Sequence, residues 1–162
     1  MNEAQEQLEL VAAFLRQQTT LSLATTGEDG APCATPLFYI ADRRLSLYWL
    51  SSESSLHSLN LTKTPRAAAT VHGNAASWKE IRGLQMRGST SIITDPERRG
   101  VLVKDYCERF KLGTVFRLAI RHSALYSFQP EFLRYIDNSR GFGYKFELTR
   151  PLEGWTLDRP TA

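Results

Sequence analysis

Cysteine is scarce in this 162-residue chain: Cys33 and Cys107 are the only two. They lie far apart, outside any C-x-x-C pair and among apolar neighbours, which argues for two buried thiols against a disulfide or a metal site. No apolar run approaches the ~20 residues that a membrane-spanning helix requires. The N-terminus is acidic and amphipathic instead of basic and then apolar, so it does not read as a signal peptide, and the chain is expected to be cytoplasmic. The net charge is only +3, with no block of like charges. The arginines are dispersed and are not gathered among exposed aromatics, so no nucleic-acid footprint is expected. A G-x-G-x-x-G fingerprint, a G-x-S-x-G elbow and an H-E-x-x-H pair are all missing. The three histidines, His57, His72 and His122, have no metal-ligand spacing.

What is present suffices for one core. An apolar fraction of 42% over 162 residues fits a single domain that buries roughly 70% of its unfolded surface. The domain is read over residues 1–150, with 151–162 as a C-terminal tail in which Trp155 can dock. The spacing of Leu8, Val11, Ala12 and Leu15 predicts a helix over residues 2–18. Alternation over residues 20–25, the Asp29-Gly30 turn, and the runs 33–40 and 44–50 predict a meander of three antiparallel strands. A short helix is expected over residues 54–62, capped by Ser52 or Ser54 and stopped before Pro65. Residues 66–73 and 82–88 read as strands, the first rich in small residues, and Asp95-Pro96-Glu97 opens a helix running to about Phe110. Residues 112–120 are readable as strand or helix. Residues 125–128 and 132–136 read as two strands around Pro130, followed by a turn over 137–143 and a last strand over 144–148.

Three constellations bear on chemistry. The run Leu47-Tyr48-Trp49-Leu50 ends in Ser51, Ser52, Ser54 and Ser55, with His57 one helical turn on. Hydroxyls, an imidazole and the free N–H groups of a helix start are what a phosphomonoester needs. The plainer reading makes the serines helix caps and His57 a surface residue. On a strand, Gly83, Gln85 and Arg87 share one face and Arg82, Leu84 and Met86 the other. The first face offers a gap, an amide and a guanidinium to a planar ring, or it is a solvated polar stripe. Finally, Gly141 and Gly143 around Phe142, with Lys145 beyond, describe a sharp turn with an aromatic plug.

These segments resemble the FMN-binding split-barrel proteins related to pyridoxamine 5′-phosphate oxidase. The segments that match are the strand-turn-strand ending in Ser55-Leu56-His57, the strand Arg82-Gly83-Leu84-Gln85, and the turn Asp137-Asn138…Gly141-Phe142-Gly143. In the oxidase the first of these ends in a Ser-Arg-Lys tract; here leucine and histidine stand for the two cations. The resemblance implies a mainly β, α+β fold, an antiparallel six-stranded split β-barrel with flanking short helices, and a homodimer with FMN at the subunit interface. It implies Ala34, Thr35, Pro36 and Leu37 along the flavin ring, Ser51, Ser52, Ser55 and His57 at the ribityl-phosphate end, and Gln85 or Arg82 at the ring. Phe142 and Lys145 are then candidates to reach the partner's site. The activity implied is a flavin oxidoreductase with a small-molecule substrate, from a branch other than the oxidase itself. Arg150-Pro151-Leu152-Glu153-Gly154-Trp155 has the residue types of the oxidase's C-terminal signature without its pattern. The rival expectations are deazaflavin F420 or haem in the same barrel, or a non-catalytic binding protein.

Overall fold

A computed structural model describes residues 3–151 together with Gly154 and Trp155. It begins with helix α1 (Glu3–Gln17), strands β1 (Thr20–Thr26), β2 (Pro32–Phe38), β3 (Ile40–Ala41) and β4 (Leu47–Ser51), and helix α2 (Leu56–Lys63). Strands β5 (Arg66–His72) and β6 (Arg82–Ile92), helices α3 (Pro96–Phe110) and α4 (Arg117–Arg121), and strands β7 (Ala124–Asp137) and β8 (Lys145–Thr149) follow. The result is an α+β fold: a curled antiparallel sheet flanked by short helices.

The sheet runs β2-β1-β5-β6-β7-β4-β3, with β8 added to β7. Its two ends are β2 and β3, which are consecutive in the chain and interrupted only at Tyr39. That single interrupted strand pairs with β1 through one part and with β4 through the other, so it closes the path into a barrel. Counted this way the barrel has the six expected strands. Tyr39 is fully buried at the interruption, and its hydroxyl donates to Leu15 O at 2.8 Å, tying the closure to α1.

Alternation decides the barrel's inside. Leu21 and Leu23 of β1, Ala69 and Val71 of β5, Leu84 and Met86 of β6, and Leu133 and Tyr135 of β7 are buried, as period-2 strands with one apolar face require. Val11, Ala12 and Leu15 of α1 pack on this core as their spacing predicts; Phe14 is also buried and sets its ring edge on Tyr135 at 5.6 Å. Trp49 stacks on Tyr126 at 5.6 Å, and Trp155 docks into the same core.

Several local expectations need correction. The meander continues through the interrupted strand into β4, but β4 meets β3 over two residues only and pairs mainly with β7, Leu47 through Ser51 facing Phe128 through Ala124. Leu47 and Trp49 are buried on one face of β4 and Tyr48 on the other, and a long partner such as β7 suits a strand covered on both sides. Residues 125–128 and 132–136 belong to one strand, β7, running through Pro130. A register shift at Arg87/Gly88 takes up the proline, which has no N–H to give to the ladder. Gly88 faces Pro130 there, and a Cβ on it would collide with the Gln129 carbonyl. Residues 114–121 are helical, as a short 3₁₀ turn followed by α4. Cys33 and Cys107 are free, but half-buried instead of buried.

Candidate functional site

The chain leaves β4 at Ser51, which is buried, and turns over Ser52–Ser55 into α2. Ser55, not Ser52 or Ser54, holds the N-cap position, and its side chain makes no cap bond. Its hydroxyl is committed inward instead, within 2.8 Å of both Ser52 O and Ser58 Oγ and 3.1 Å from His57 Nε2. Ser51 Oγ lies 2.8 Å from the same Nε2. The imidazole is therefore buried between two hydroxyls, and His57 is not a surface residue. Burial lowers its pKa, because desolvation disfavours the imidazolium. Ser52 and Ser54 form the outward part of the turn, with hydroxyls 2.8 Å apart.

Helix α2 is anchored under this cluster. Asn60 donates from Nδ2 to Thr25 Oγ1 at 3.0 Å in a buried contact, and Lys63 pairs with Glu28 of the β1–β2 turn. Sequence reading missed Ser58, Asn60 and Thr25. Their signal was the 57/58/60/61 grouping on one side of α2, which becomes legible only once β1 is known to lie under it.

A second group lies on the outside of the barrel wall. Cross-strand partners share a face, and the registers align Pro36, Ser22, Thr70, Gln85 and Arg134 in one row. The next row holds Ala34, Ala24, Ala68, Arg87 and Phe132. Side chains are small from β2 to β5 and long from β6 to β7, which leaves a cleft of about 390 Å³ bounded by Ala68, Thr70, Gln85, Arg87, Phe132 and Arg134. Arg134 holds Glu147 at 2.7 Å and donates to Gln85 Oε1 at 3.4 Å, orienting that amide with its NH₂ away from the arginine. Arg87 lies over the Phe132 ring at 4.4 Å.

Of the four β2 candidates, only Ala34 and Pro36 are on this outer face. Thr35 and Leu37 pair with Leu23 and Leu21 and point inward. Gln85 and Arg82 are likewise separated. Arg82 sits at the strand end and ion-pairs with buried Asp137 at 3.5 Å, where Arg140 approaches at 3.7 Å.

The third group is at that same end. Phe142 is 85% exposed and meets Trp78 edge-on at 5.5 Å. Asn138 fixes the two loops, donating from Nδ2 to Trp78 O at 2.9 Å and accepting from Gly143 N at 3.2 Å. Gly143 has φ +73, a left-handed value that glycine meets without strain. Lys145, exposed, starts β8 opposite Ile136. This group belongs to the loops before β6 and after β7, whereas the Ser51–Ser58 cluster belongs to the turn after β4.

The closed six-strand path and its flanking helices define a split barrel. The family described as pyridoxamine 5′-phosphate oxidase matches residues 8–131, and the chain belongs to that family. Within it the chain stands in a branch related to, and distinct from, the oxidase itself. A UPF0306 protein of Cronobacter sakazakii is 29% identical over 139 residues, covering 85% of this chain and 92% of that protein. A conserved hypothetical protein of Mycobacterium tuberculosis shares the fold with a TM-score of 0.72 at 20% identity, covering all of this chain and 95% of its own. HutZ, the haem storage protein of Vibrio cholerae, shares it with a TM-score of 0.64 at 20% identity, covering 76% and 89%.

Proposed function

We propose that this chain holds a planar prosthetic group on the outer face of its barrel, that the group is FMN, and that the protein is a flavin oxidoreductase acting on a small molecule. The observation that carries the reading is the row Pro36, Ser22, Thr70 and Gln85. Its four strands span about 14 Å, three inter-strand steps of ~4.8 Å, and its side chains are small until Gln85. A flat ring can lie against such a surface, and the oriented Gln85 amide can donate to a ring oxygen. The outward hydroxyls of Ser52 and Ser54 and the first N–H groups of α2 supply hydrogen-bond donors suited to a phosphate, while Ser51, Ser55 and His57 hold the turn from within. Leu56 is 61% exposed where the related oxidase has arginine, so phosphate binding here relies on neutral donors and the helix dipole. FMN when bound supplies the redox chemistry; the residues of the chain bind it, orient it and shield one side from water. In a homodimer, exposed Phe142 and Lys145 of one protomer are available to complete the site of its partner. No acid or base is assigned.

Haem is the second reading, favoured by His72. This residue is exposed on the same face as Thr70, beside Gly83 across the strand pair, and its Nδ1 lies 3.2 Å from Gly73 O. That arrangement leaves Nε2 as the atom that would hold a haem iron. HutZ, a haem storage protein of the same fold, points the same way.

The test is an absorption spectrum after incubation with FMN or with haemin and dialysis. Retained flavin bands, weakened in Gln85→Ala, support FMN. A Soret band lost in His72→Ala, with no flavin uptake, assigns the face to haem instead. Anaerobic bleaching by NADH or NADPH then separates an enzyme from a protein that only holds the flavin.

A further inference from the structure

We propose that the cleft where α3 and α4 meet the ends of β6 and β7 binds a small organic monocarboxylate, independently of the cofactor face. The cleft is open to solvent and has a volume of about 370 Å³, within the range of small-molecule pockets. Its rim carries Arg99 from the start of α3, Arg121 from the end of α4, His122 just beyond, and a single carboxylate, Glu53. Ile92, Ile93 and Leu125 contribute its apolar part, of which only Ile92 is exposed; most of the accessible lining is polar. Ile93 N–H donates to Leu125 O at 2.8 Å, joining these two lining residues.

Arg99 is preorganised. Its Nη2 donates to Ile120 O at 3.2 Å and Ser123 O at 3.0 Å, carbonyls at and just beyond the end of α4. Joining α3 to α4 accounts for that one nitrogen and leaves the rest of the guanidinium uncommitted. Among the described residues no carboxylate comes within 4.0 Å of a nitrogen of Arg99 or Arg121. Two guanidiniums facing one cleft without such a partner repel each other, and an anion between them removes that repulsion. The planar fork of arginine matches a carboxylate. Two arginines against Glu53 leave one net positive charge, which a monocarboxylate neutralises and a phosphate dianion overshoots. Exposed Ile92 gives the carboxylate's small aliphatic or aromatic body one apolar surface to rest on.

The cleft borders the Ser51 cluster, since Ala124 on its wall is the strand partner of Ser51. Its proposed ligand nevertheless needs none of the hydroxyls or the imidazole.

The probes are benzoate and hexanoate, with benzamide, hexanol and inorganic phosphate as controls, measured by saturation-transfer NMR and calorimetry on the full chain. Both carboxylates are expected to bind at least about tenfold more tightly than each control. Arg121→Glu, a change at an exposed side chain, is expected to abolish binding without shifting the melting temperature, and Ile92→Glu to do the same from the apolar part of the lining. Because Arg99 also braces α4, Arg99→Ala is read only beside a melting curve, and the assignment stands or falls on Arg121 and Ile92. No carboxylate binding, equal binding of benzamide, or benzoate affinity unchanged in Arg121→Glu overturns the assignment. Displacement of benzoate by FMN overturns it too, by giving the cleft to the cofactor's phosphate. Failure of FMN to bind anywhere leaves the carboxylate result unaffected.

Discussion

Ser51 Oγ and His57 Nε2 lie 2.8 Å apart, bonding the last residue of β4 to the second residue of α2 across the serine turn. The bond takes the imidazole out of water, and its consequences are measurable in stability as well as in binding.

Desolvation holds the His57 pKa below its ordinary value of 6.5. The unfolded chain then binds more protons below pH ~6.5 than the native protein does, so acid favours unfolding. The His57 contribution is expected to be fully present above the unfolded pKa, to decline as pH falls through ~6.5, and to level off below the depressed native pKa. Thermal unfolding from pH 8 to 5 checks this. His57→Gln should flatten that part of the profile, and an unchanged slope would show that another group governs it.

Gly88 faces Pro130 at the bulge, where a Cβ would meet Gln129 carbonyl and come within 2.9 Å of Pro130 Cα. The obstacle is backbone in the two longest strands and cannot swing aside. Gly88→Ala is expected to cost about 2–3 kcal/mol, read by urea denaturation. Gly100→Ala is the control, because a Cβ there meets nothing within 4 Å and the site is helical.

Asp137 is 3% exposed and accepts from Ser139 N at 3.0 Å while facing Arg82 and Arg140. Removing the carboxylate loses hydrogen bonds to several donors, whereas removing Arg82 costs one half-exposed partner. Asp137→Ala should therefore destabilise by about 2–3 kcal/mol and Arg82→Ala by less than about 1 kcal/mol. Equal losses in the two denaturation curves would mean that the Arg82 pair, not the carboxylate's other bonds, holds this end together.

Gln85 and Arg82 lie on opposite sides of β6, and only Gln85 is on the outer face. If that face takes the flavin, Gln85→Ala should weaken FMN about tenfold, one hydrogen bond's worth, and Arg82→Ala should leave it unchanged. Fluorescence quenching titrations on both variants decide the matter; the reverse ranking would move the ring to the Asp137 end of the barrel.

Much of the site's chemistry was visible in residue types. The alternation at Arg82–Gly88 placed Gln85 and Arg82 on different faces from spacing alone, and burial of Leu84 and Met86 bears this out. The serine cluster with His57 was legible as a group, but its direction was not. Spacing puts His57 near the helix start and cannot tell whether the ring meets water or Ser51, because that depends on the packing of α2 on β1 through Asn60 and Thr25.

Local pattern determined the helices α1 and α3, where a 3.6-residue apolar period and an Asp-Pro start act within a few turns, and most strand segments, where period 2 acts within a few residues. Tertiary structure alone decided which strands distant in sequence pair. Nothing near Trp49 in sequence says that β4 lies against β7, or that Pro130 can sit inside a strand because Gly88, 42 positions earlier in the 162 residues, makes room for it. Those choices are made by burying side chains from distant segments together and by closing the sheet on itself, so they depend on contacts that no local window contains.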